Sequence, residues 1–343
     1  MSLDIVSRPT IVDVARAANV SLGTVSRVLN RHANVDPGLR AHVEQTIRQL
    51  GFEPSAVAQS LRGRATRTIG CILRDISIPG LATFVKAVEA TLTEVNYTLI
   101  LANTDGRQER ERELVGLLGR RQADGLIASI GLANDPELLT ALRAARFPVV
   151  VLDAGGEDWA DSVSADHFGG ALSAITHLLQ LGHRRIALLT GRPVHLTASQ
   201  HIAAYEQAFR QSGTPLNKRF IHTESFTPEF GYARAMALFD NPDGPTAIFA
   251  GGMDMIWGVL RAAKESRRSI PGDISVIAGC DSDFMNFSAP AITAVRYNLT
   301  DMGRSAAEML LGRIHGQRET VSQTLVLPTA LILRASTAPP PHP

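Results

Sequence analysis

The first fifty residues contain three short stretches in which apolar side chains recur every three or four positions, the spacing of an amphipathic α-helix. The first stretch begins after Thr10, a good N-cap residue, and Asp13 stands where a capping box places an acid. The second begins at Ser21 and the third at Asp36, which is followed by Pro37 at the first helical position. The pattern therefore predicts three successive helices.

One face of each predicted helix is apolar, so the three faces can pack together as a small core. The predicted inward residues are Ile11, Val14, Ala15, Ala18, Val25, Val28, Leu29, Leu39, Val43, Ile47 and Leu50. Asn19 and Gly51 tolerate a left-handed backbone and are expected to end the first and third helices. Two helices joined by a tight turn and covered by a third form a helix-turn-helix.

The outward side of the second helix is mainly polar. In a helix-turn-helix unit, the N-terminal end of this helix enters the major groove of DNA. The outward residues are Leu22, Gly23, Thr24, Ser26, Arg27 and Asn30. Hydroxyl groups suit phosphate contacts, and Arg27 can bind the edge of a guanine. A generic three-helix bundle with a polar face is the alternative at this point.

Positive charge is concentrated at the N-terminal end, although the net charge of the whole chain is only +1. Residues 1–67 hold nine arginines and five acidic residues, whereas the remainder holds more acidic than basic residues. This asymmetry favours a polyanion as a partner of the first region, without identifying it.

From residue 68 the pattern changes to short apolar segments that alternate with longer helical patterns. The segments are TIGCIL, YTLILA, ADGLIASI, PVVVLD, RRIALLTG, TAIFAGG and ISVIAGCD. Continuous apolar strands separated by helices predict an α/β fold with parallel sheets covered on both faces. Seven strands exceed one compact lobe of this length, so two lobes are expected.

Acidic residues follow several of these strands. They are Asp75, Asp105, Asp153, Asp254 and Asp281. Ligands of such sheets bind beyond the carboxyl ends of the strands, where carboxylates can accept hydrogen bonds from the hydroxyl groups of a sugar-like molecule. Each of these residues could instead cap a helix or a turn.

The sequence contains no recognisable catalytic motif or metal-ligand spacing, so we expect no catalytic residue, no metal and no cofactor. Cys71 and Cys280 lie in strand-like segments and are expected to be buried, reduced thiols. There is neither a signal-peptide pattern nor an apolar run long enough to span a membrane, which predicts a cytoplasmic protein with no membrane partner.

The run PTIVDVARAANVSLGTVSRVLN resembles the DNA-binding head of the LacI/GalR (lactose-repressor) family almost position by position. Segments between residues 68 and 337, among them QADGLIAS, FPVVVLD and IPGDISVIAGCD, resemble the effector domain of that family. The resemblance implies a two-lobed periplasmic-binding-protein fold in which the chain crosses between lobes three times. The N-lobe would comprise 68–165 and 297–325, and the C-lobe would comprise 166–296 and the final strand.

The resemblance also assigns roles in DNA binding. The family discriminates bases with the two residues after the serine of the V-S pair, here Leu22 and Gly23. Glycine has no side chain, so direct readout should depend more on Leu22, Arg27 and Asn34. Leu61 matches the leucine that the family wedges into the minor groove, and Ala58 matches the small hinge contact. The full predicted DNA-binding set is Thr10, Ser21, Leu22, Gly23, Thr24, Ser26, Arg27, Asn30, Asn34, Ala58 and Leu61.

The effector positions of the family carry several departures in this chain. The arginine that clamps the effector falls at His201, which could be a pH-sensitive clamp or a structural histidine, and the Asn-Asp pair falls at Met253 and Asp254. The aromatic platform is retained at Phe226. The loss of the guanidinium and the amide predicts a less polar pocket. The full predicted effector set is Asp75, Asp153, His201, Phe226, Met253, Asp254, Asp281 and Tyr297.

Together these features predict a homodimeric transcription regulator, in this family usually a repressor, that binds a pseudo-palindromic operator under effector control. The predicted domains are a head (1–53), a hinge helix and linker (54–67), an effector domain (68–337) and a tail (338–343). The tail lacks a leucine heptad, which favours a dimer over a tetramer. A solute-binding transport protein and a sugar-processing enzyme are the alternatives.

Overall fold

The protein is described from a computed structural model that covers residues 9–29, 32, 34–52, 66–78, 80–120, 123–131, 135–155, 158–317 and 321–341. The chain divides into two compact units, residues 1–66 and 67–343. Three residues of the predicted DNA-binding set, Asn30, Ala58 and Leu61, lie outside the described residues, and so does most of the predicted hinge.

The first unit contains the three predicted helices, α1 (Ile11–Ala17), α2 (Leu22–Leu29) and α3 (Pro37–Leu50). The predicted capping box of α1 is confirmed, because Thr10 and Asp13 each bond the backbone of the other. The predicted cap of α3 is also confirmed, since Asp36 Oδ1 accepts a hydrogen bond of 2.9 Å from the Leu39 amide. Gly51 ends α3 in the left-handed conformation, with a φ of 61°.

The apolar faces of these helices form one small core. Its buried residues are Val14, Ala15, Ala18, Val25, Val28, Val35, Val43 and Phe52. The predicted inward position of Leu39 is wrong, because this side chain is 37% exposed. Leu39 stands in the first turn of α3, where side chains lean past the N-terminal end of the helix and away from the core.

The second unit contains the strands of two sheets, and every strand is short. They are β1 (Thr68–Leu73), β2 (Thr98–Asn103), β3 (Gly125–Ala128), β4 (Val149–Leu152), β5 (Asp161–Ala165), β6 (Ile186–Thr190), β7 (Ile221–Thr223), β8 (Ala247–Ala250), β9 (Ser275–Ala278), β10 (Thr293–Arg296), β11 (Thr324–Leu327) and β12 (Ala330–Ile332). The seven predicted strands are all present. The five that the pattern did not reveal are β5, β7, β10, β11 and β12.

Helices connect these strands. They are α4 (Leu81–Glu94), α5 (Gln108–Arg120), α6 (Pro136–Arg143), α7 (His167–Gln180), α8 (Leu196–Gln211), α9 (Pro228–Phe239), α10 (Met255–Glu265), α11 (Asp283–Phe287) and α12 (Leu299–Ile314), with a 3₁₀ turn at Lys218–Phe220. Among the described residues no helix combines the length and the apolar character that a membrane crossing needs.

The first sheet, which forms the N-lobe, has the strand order β11-β5-β4-β3-β1-β2 and is parallel throughout. Alternate residues of its central strands point to opposite faces, as the pleat requires. Ile69 and Leu73 pack with α4 and α12 on one face, whereas Ile72 and Leu126 pack with α5 and α6 on the other. Burial on both faces explains why these segments are continuously apolar.

The second sheet, which forms the C-lobe, has the order β12-β10-β9-β8-β6-β7. Only the pairing of β10 with β12 is antiparallel among the described strands. Helices α9, α10 and α11 cover one face, and α7 and α8 cover the other. The chain passes between the lobes after β5, after β10 and after β11, so the predicted three crossings are confirmed.

Candidate functional site

The N-terminal turn of α2 is the most exposed part of the predicted DNA-binding face. Ser21 caps the helix, because its Oγ accepts a hydrogen bond of 3.1 Å from the Thr24 amide and lies 2.9 Å from Thr24 Oγ1. Leu22 is 48% exposed although it is apolar, and Gly23 is exposed beside it. The first turn contains no acidic residue, so the positive end of the helix dipole faces solvent without a neutralising charge.

Arg27 lies one turn further along the same exposed side of α2. Its Nε donates a hydrogen bond of 3.2 Å to the carbonyl oxygen of Gly23, which directs the guanidinium along the helix surface. This bond uses one of the five N–H donors of the side chain. The planar fork of the guanidinium therefore keeps donors for an acceptor outside the protein.

The remaining described members of the set differ in their surroundings. Thr10 is exposed, but its hydroxyl donates to Asp13 Oδ2 at 2.7 Å and its amide donates to the same oxygen at 2.9 Å. Asn34 is exposed in the turn before α3, whereas Ser26 is half-buried. The structure thus places Ser21, Leu22, Gly23 and Arg27 together on one surface and leaves Ser26 partly covered.

In the second unit, the predicted effector residues follow the carboxyl ends of strands in both lobes. Asp75 and Asp153 come after β1 and β4 of the N-lobe, and Met253, Asp254 and Asp281 come after β8 and β9 of the C-lobe. All these strands are parallel within their sheets, so their ends lie at the same edge, as the sequence analysis predicts for a ligand-binding cleft.

Asp153 is held by the first residue of α7. Its Oδ1 lies 2.8 Å from His167 Nε2 and accepts a hydrogen bond of 3.3 Å from the Ala165 amide. Asp153 has a φ of 48°, an uncommon left-handed conformation for a residue other than glycine. His167 is only 6% exposed, so this pair joins the end of β4 to the first crossing between the lobes.

Two further aromatic rings pack against that pair. The ring of His167 lies 5.8 Å from that of His201 and 5.9 Å from that of Tyr297, each in an edge-to-face arrangement. The Tyr297 hydroxyl is hydrogen-bonded to the thiol of Cys280, and burial raises the pKa of Tyr297 well above its usual value. Asp153, His201 and Tyr297 therefore belong to one cluster, and His167 connects them.

His201 is enclosed within the C-lobe. It is 2% exposed, its Nδ1 lies 3.2 Å from Thr190 Oγ1, and a β-carbon on Gly251 would approach that nitrogen to 2.6 Å. Burial lowers the pKa of His201 to about 3, with a smaller contribution from His167. The imidazole is therefore neutral near pH 7, which favours the structural histidine over the pH-sensitive clamp.

The buried imidazole makes the stability of the second unit depend on pH. The unfolded chain binds a proton at His201 below about pH 6.5, whereas the folded chain does so only near pH 3, so stability is complete above pH 6.5 and falls with pH. Between pH 6.5 and 5, His201 should lower the free energy of unfolding by about 2 kcal/mol, since one proton corresponds to about 1.4 kcal/mol per pH unit. Denaturant unfolding followed by tryptophan fluorescence measures this slope.

In the variant His201→Gln, the proton that His201 binds on unfolding is no longer taken up. The free energy of unfolding should therefore fall less steeply between pH 6.5 and 5 than in the wild type. His315→Gln is the matched control, because His315 is exposed at the end of α12. Equal slopes for wild type and His201→Gln would contradict the buried neutral imidazole.

Asp281 is bound by two arginines of the C-lobe. Its Oδ2 accepts hydrogen bonds of 2.8 Å from Arg296 Nε and 3.0 Å from Arg334 Nη2. The carboxylate is 6% exposed. Arg334 also donates to Asn286 and to the carbonyl oxygen of Ile292, so it connects the C-terminal segment to α11 and to the region before β10. Asp281 is thus engaged within the protein, which reduces its capacity to bind an effector.

Phe226 and Met253 supply apolar surface at the same edge of the C-lobe. The ring of Phe226 lies directly against Gly191, where a β-carbon would overlap it, and 6.2 Å from the ring of His195. The methyl group of Met253 lies 3.5 Å from the position of a β-carbon on Gly80, which belongs to the N-lobe. These contacts place an aromatic ring and a thioether beside the cleft.

Asp75 and Asp254 lie near each other but are engaged differently. Asp75 accepts two hydrogen bonds of 2.8 Å, one from the backbone amide and one from the hydroxyl of Ser77. These hydrogen bonds lower the pKa of Asp75, and the one from the amide has the larger effect. Burial raises the pKa of Asp254, and the charge of Arg74, whose Nη2 lies 3.5 Å from Asp254 Oδ1, opposes that rise. Asp75 therefore shapes a turn, whereas Asp254 faces a cation of the other lobe.

Sequence analysis did not identify three residues that organise the site: Arg74, His167 and Arg334. Arg74 directly follows β1, so its position at a strand end was a signal available in the sequence. His167 follows Asp166, which caps α7, and only the fold brings it to Asp153. Within the described ranges, no group of three or more histidine, cysteine, aspartate and glutamate side chains is arranged to hold a metal ion.

Two family models match this chain. The model described as "Bacterial regulatory proteins, lacI family" matches residues 10–55, which include α1, α2 and α3. The model described as "Periplasmic binding protein-like domain" matches residues 175–337, which include most of the C-lobe.

Similar proteins align over nearly the whole chain. The transcriptional repressor PurR of Pectobacterium carotovorum is 34% identical over 336 residues, covering 97% of this chain and 98% of its own. The catabolite control protein A of Priestia megaterium is 32% identical over 333 residues, covering 96% and 99%. A structure of the lac repressor dimer bound to operator and the anti-inducer ONPF has a TM-score of 0.82 at 26% identity, covering 97% and 100%.

These alignments agree with the structure, which has an exposed N-terminal turn in α2 and a two-lobed α/β unit. Solute transport and sugar processing, the alternatives left by the sequence pattern, are set aside by relatives that regulate transcription and are not enzymes. The chain belongs to the LacI family of bacterial regulatory proteins and is a DNA-binding transcription regulator with an effector domain.

Proposed function

We propose that this regulator is a homodimeric repressor that binds a pseudo-palindromic operator, and that a small molecule between its two lobes sets the affinity for the operator. The observation that carries the proposal is the exposed side of α2, which presents Leu22, Gly23 and Arg27 to solvent and has no acidic residue in its first turn. A dimer with two-fold symmetry presents two such helices to matching half-sites. The similarity to the operator-bound lac repressor dimer supports this arrangement.

In this proposal the predicted DNA-binding residues of the first unit divide into phosphate contacts and base contacts. Ser21, Thr24 and Thr10 contact phosphates, which fixes the position of the head on the duplex. Arg27 binds a guanine edge and Leu22 contacts a thymine methyl group, so these two residues provide sequence discrimination. Asn34 assists direct readout from the turn before α3. Ser26, which is half-buried, contributes less than its position on α2 suggests.

The hinge has a separate task that rests on the sequence alone. Leu61 of each subunit enters the minor groove and Ala58 allows the two hinge segments to approach closely. A change in the angle between the lobes alters the spacing of the two hinges and hence the affinity for the operator.

The effector in this proposal is a neutral molecule that donates hydrogen bonds, a class that includes sugars. Among the described residues, the buried atoms Asp254 Oδ1 and Ser282 Oγ have no hydrogen-bond partner, and both follow strand ends of the C-lobe. A hydroxyl group of a ligand would satisfy either oxygen. The negative charges of Asp75, Asp254 and Glu229 lie close together and disfavour an anionic ligand.

A panel of neutral mono- and disaccharides in a thermal-shift assay on the full chain tests this proposal. At about one hundred times its dissociation constant, the effector should add about 2.7 kcal/mol to stability, which corresponds to a rise in melting temperature of about 5 °C. The same sugar should change the affinity for DNA from upstream of the protein's own gene. Phe226→Ala should weaken the thermal shift by removing the aromatic platform.

Phe287→Ala is the matched control, because Phe287 is an aromatic residue that is 86% exposed on α11. This variant should keep the wild-type thermal shift. A sugar that raised the melting temperature without changing operator affinity would contradict effector control. A panel in which no sugar raised it would contradict the proposed ligand class.

A further inference from the structure

An ion pair that the sequence pattern did not predict joins loops of the two lobes across the cleft. Arg74 follows β1 of the N-lobe, and Asp254 precedes α10 of the C-lobe. Arg74 Nη2 lies 3.5 Å from Asp254 Oδ1, and the two side chains are 35% and 15% exposed. The pair therefore joins loops of different sheets, and it is partly shielded from solvent.

The surroundings of Asp254 make it dependent on Arg74. Asp254 occupies the N-cap position of α10, but its side chain makes no capping hydrogen bond. Among the described residues, Arg74 is the one cation within ion-pair distance of this carboxylate, and Asp75 and Glu229 add negative charge nearby. A partly buried carboxylate without its cation is costly, so the pair favours any arrangement in which the two loops remain together.

An apolar contact lies beside the ion pair. The methyl group of Met253 and the side chain of Leu299 both pack at Gly80, the residue before α4. Met253 belongs to the C-lobe, whereas Gly80 and Leu299 belong to the N-lobe. Gly80 has a φ of 89°, so the close approach of Met253 uses a position that suits glycine. Separation of the lobes would break the ion pair and this contact together.

We propose that Arg74 and Asp254 form a latch that holds the two lobes together in the absence of a ligand. The inference rests on the proposed function of the cleft, because an effector that binds Asp254 must displace Arg74 or share the carboxylate with it. The ligand then acts on an equilibrium between lobe arrangements that the latch already biases. Arg74 is a positioning residue in this scheme, since it acts through Asp254.

Distance measurements between spin labels on the two lobes of the full chain test the latch. Labels at Glu109→Cys on α5 and Ala203→Cys on α8 are exposed and lie in different lobes. The natural cysteines Cys71 and Cys280 are buried and should not react. Dilution with unlabelled protein restricts the signal to distances within one chain. Without ligand, Arg74→Ala and Asp254→Asn should each broaden the distance distribution and shift it to longer values.

Two further variants separate the latch from a general loss of structure. The charge reversal Arg74→Asp with Asp254→Arg should restore the wild-type distribution at least in part. Arg107→Ala should leave it unchanged, because Arg107 pairs with Asp105 on the surface of the N-lobe, where both side chains are more than 60% exposed. Wild-type distances in both single variants would overturn the latch. If the wild-type protein bound no operator or no sugar, that result would instead contradict the proposed function. Failure of the latch and failure of the proposed function are therefore distinguishable.

Discussion

Replacing Gly258 with alanine is expected to lower the free energy of unfolding of the second unit by about 3 kcal/mol, the upper part of the range for overpacking a core. Gly258 lies on α10 where that helix crosses α9. A β-carbon there would overlap the carbonyl oxygen of Pro228 and lie 2.5 Å from the backbone nitrogen of Tyr232. Backbone atoms cannot move aside as a flexible side chain can, so the two helices must separate.

Chemical denaturation followed by tryptophan fluorescence measures this effect, because the two tryptophans, Trp159 and Trp257, both belong to the second unit. Gly119→Ala is the matched control. A β-carbon on Gly119, in α5, would meet nothing within 4 Å, so alanine should raise stability by up to about 1 kcal/mol through its helix propensity. A Gly258→Ala protein with the wild-type midpoint would show that α9 and α10 are not packed this closely.

The head was predictable from the sequence because its determinants are local. Capping residues, a proline at the first turn and a terminal glycine act within a few positions of the helix end, and the structure has them where the pattern placed them. The inward position predicted for Leu39 is wrong for the opposite reason. Whether a first-turn residue faces the core depends on how three helices pack, which spacing along one helix does not determine.

The alternation of strands and helices predicted the α/β class, and two physical features explain why four of the five missed strands escaped that pattern. β5 has the sequence DSVSA and is buried although it is rich in polar residues, because Arg313 and the Gln323 amide bond Asp161 inside the fold. β7, β11 and β12 are short strands at sheet edges, where exposed residues blur the apolar signal. Hydropathy alone could not distinguish these segments from loops.

The cleft was predictable as a location but not as a set of interactions. Parallel strands bring their carboxyl ends to one edge, which predicts that Asp75, Asp153, Asp254 and Asp281 lie at the cleft. The partners of these carboxylates could not be found in this way, because Arg334 lies 53 residues from Asp281 and His167 lies 14 residues from Asp153. Such pairings follow from the tertiary fold and not from local spacing.

Arg27→Ala is expected to weaken operator binding by about 10- to 100-fold, since a bidentate contact to a guanine is worth about 1–3 kcal/mol. Its guanidinium lies on the exposed side of α2 and donates a hydrogen bond to the carbonyl oxygen of Gly23. A base contact provides discrimination, so binding to unrelated DNA at the same salt concentration should change much less. The hydrogen bond from Arg27 to Gly23 is exposed, so its removal should not unfold α2. An unchanged circular dichroism spectrum would show that the helix still forms.

Fluorescence anisotropy of labelled operator, titrated at fixed salt with wild type, Arg27→Ala and Arg48→Ala, is the most direct test of the claim that the exposed side of α2 reads DNA. Arg48 is an exposed arginine of the same head, but it lies on α3. The account predicts a large loss of operator affinity for Arg27→Ala and near wild-type affinity for Arg48→Ala. Equal affinities for all three proteins, or an equal loss in both variants, would contradict it.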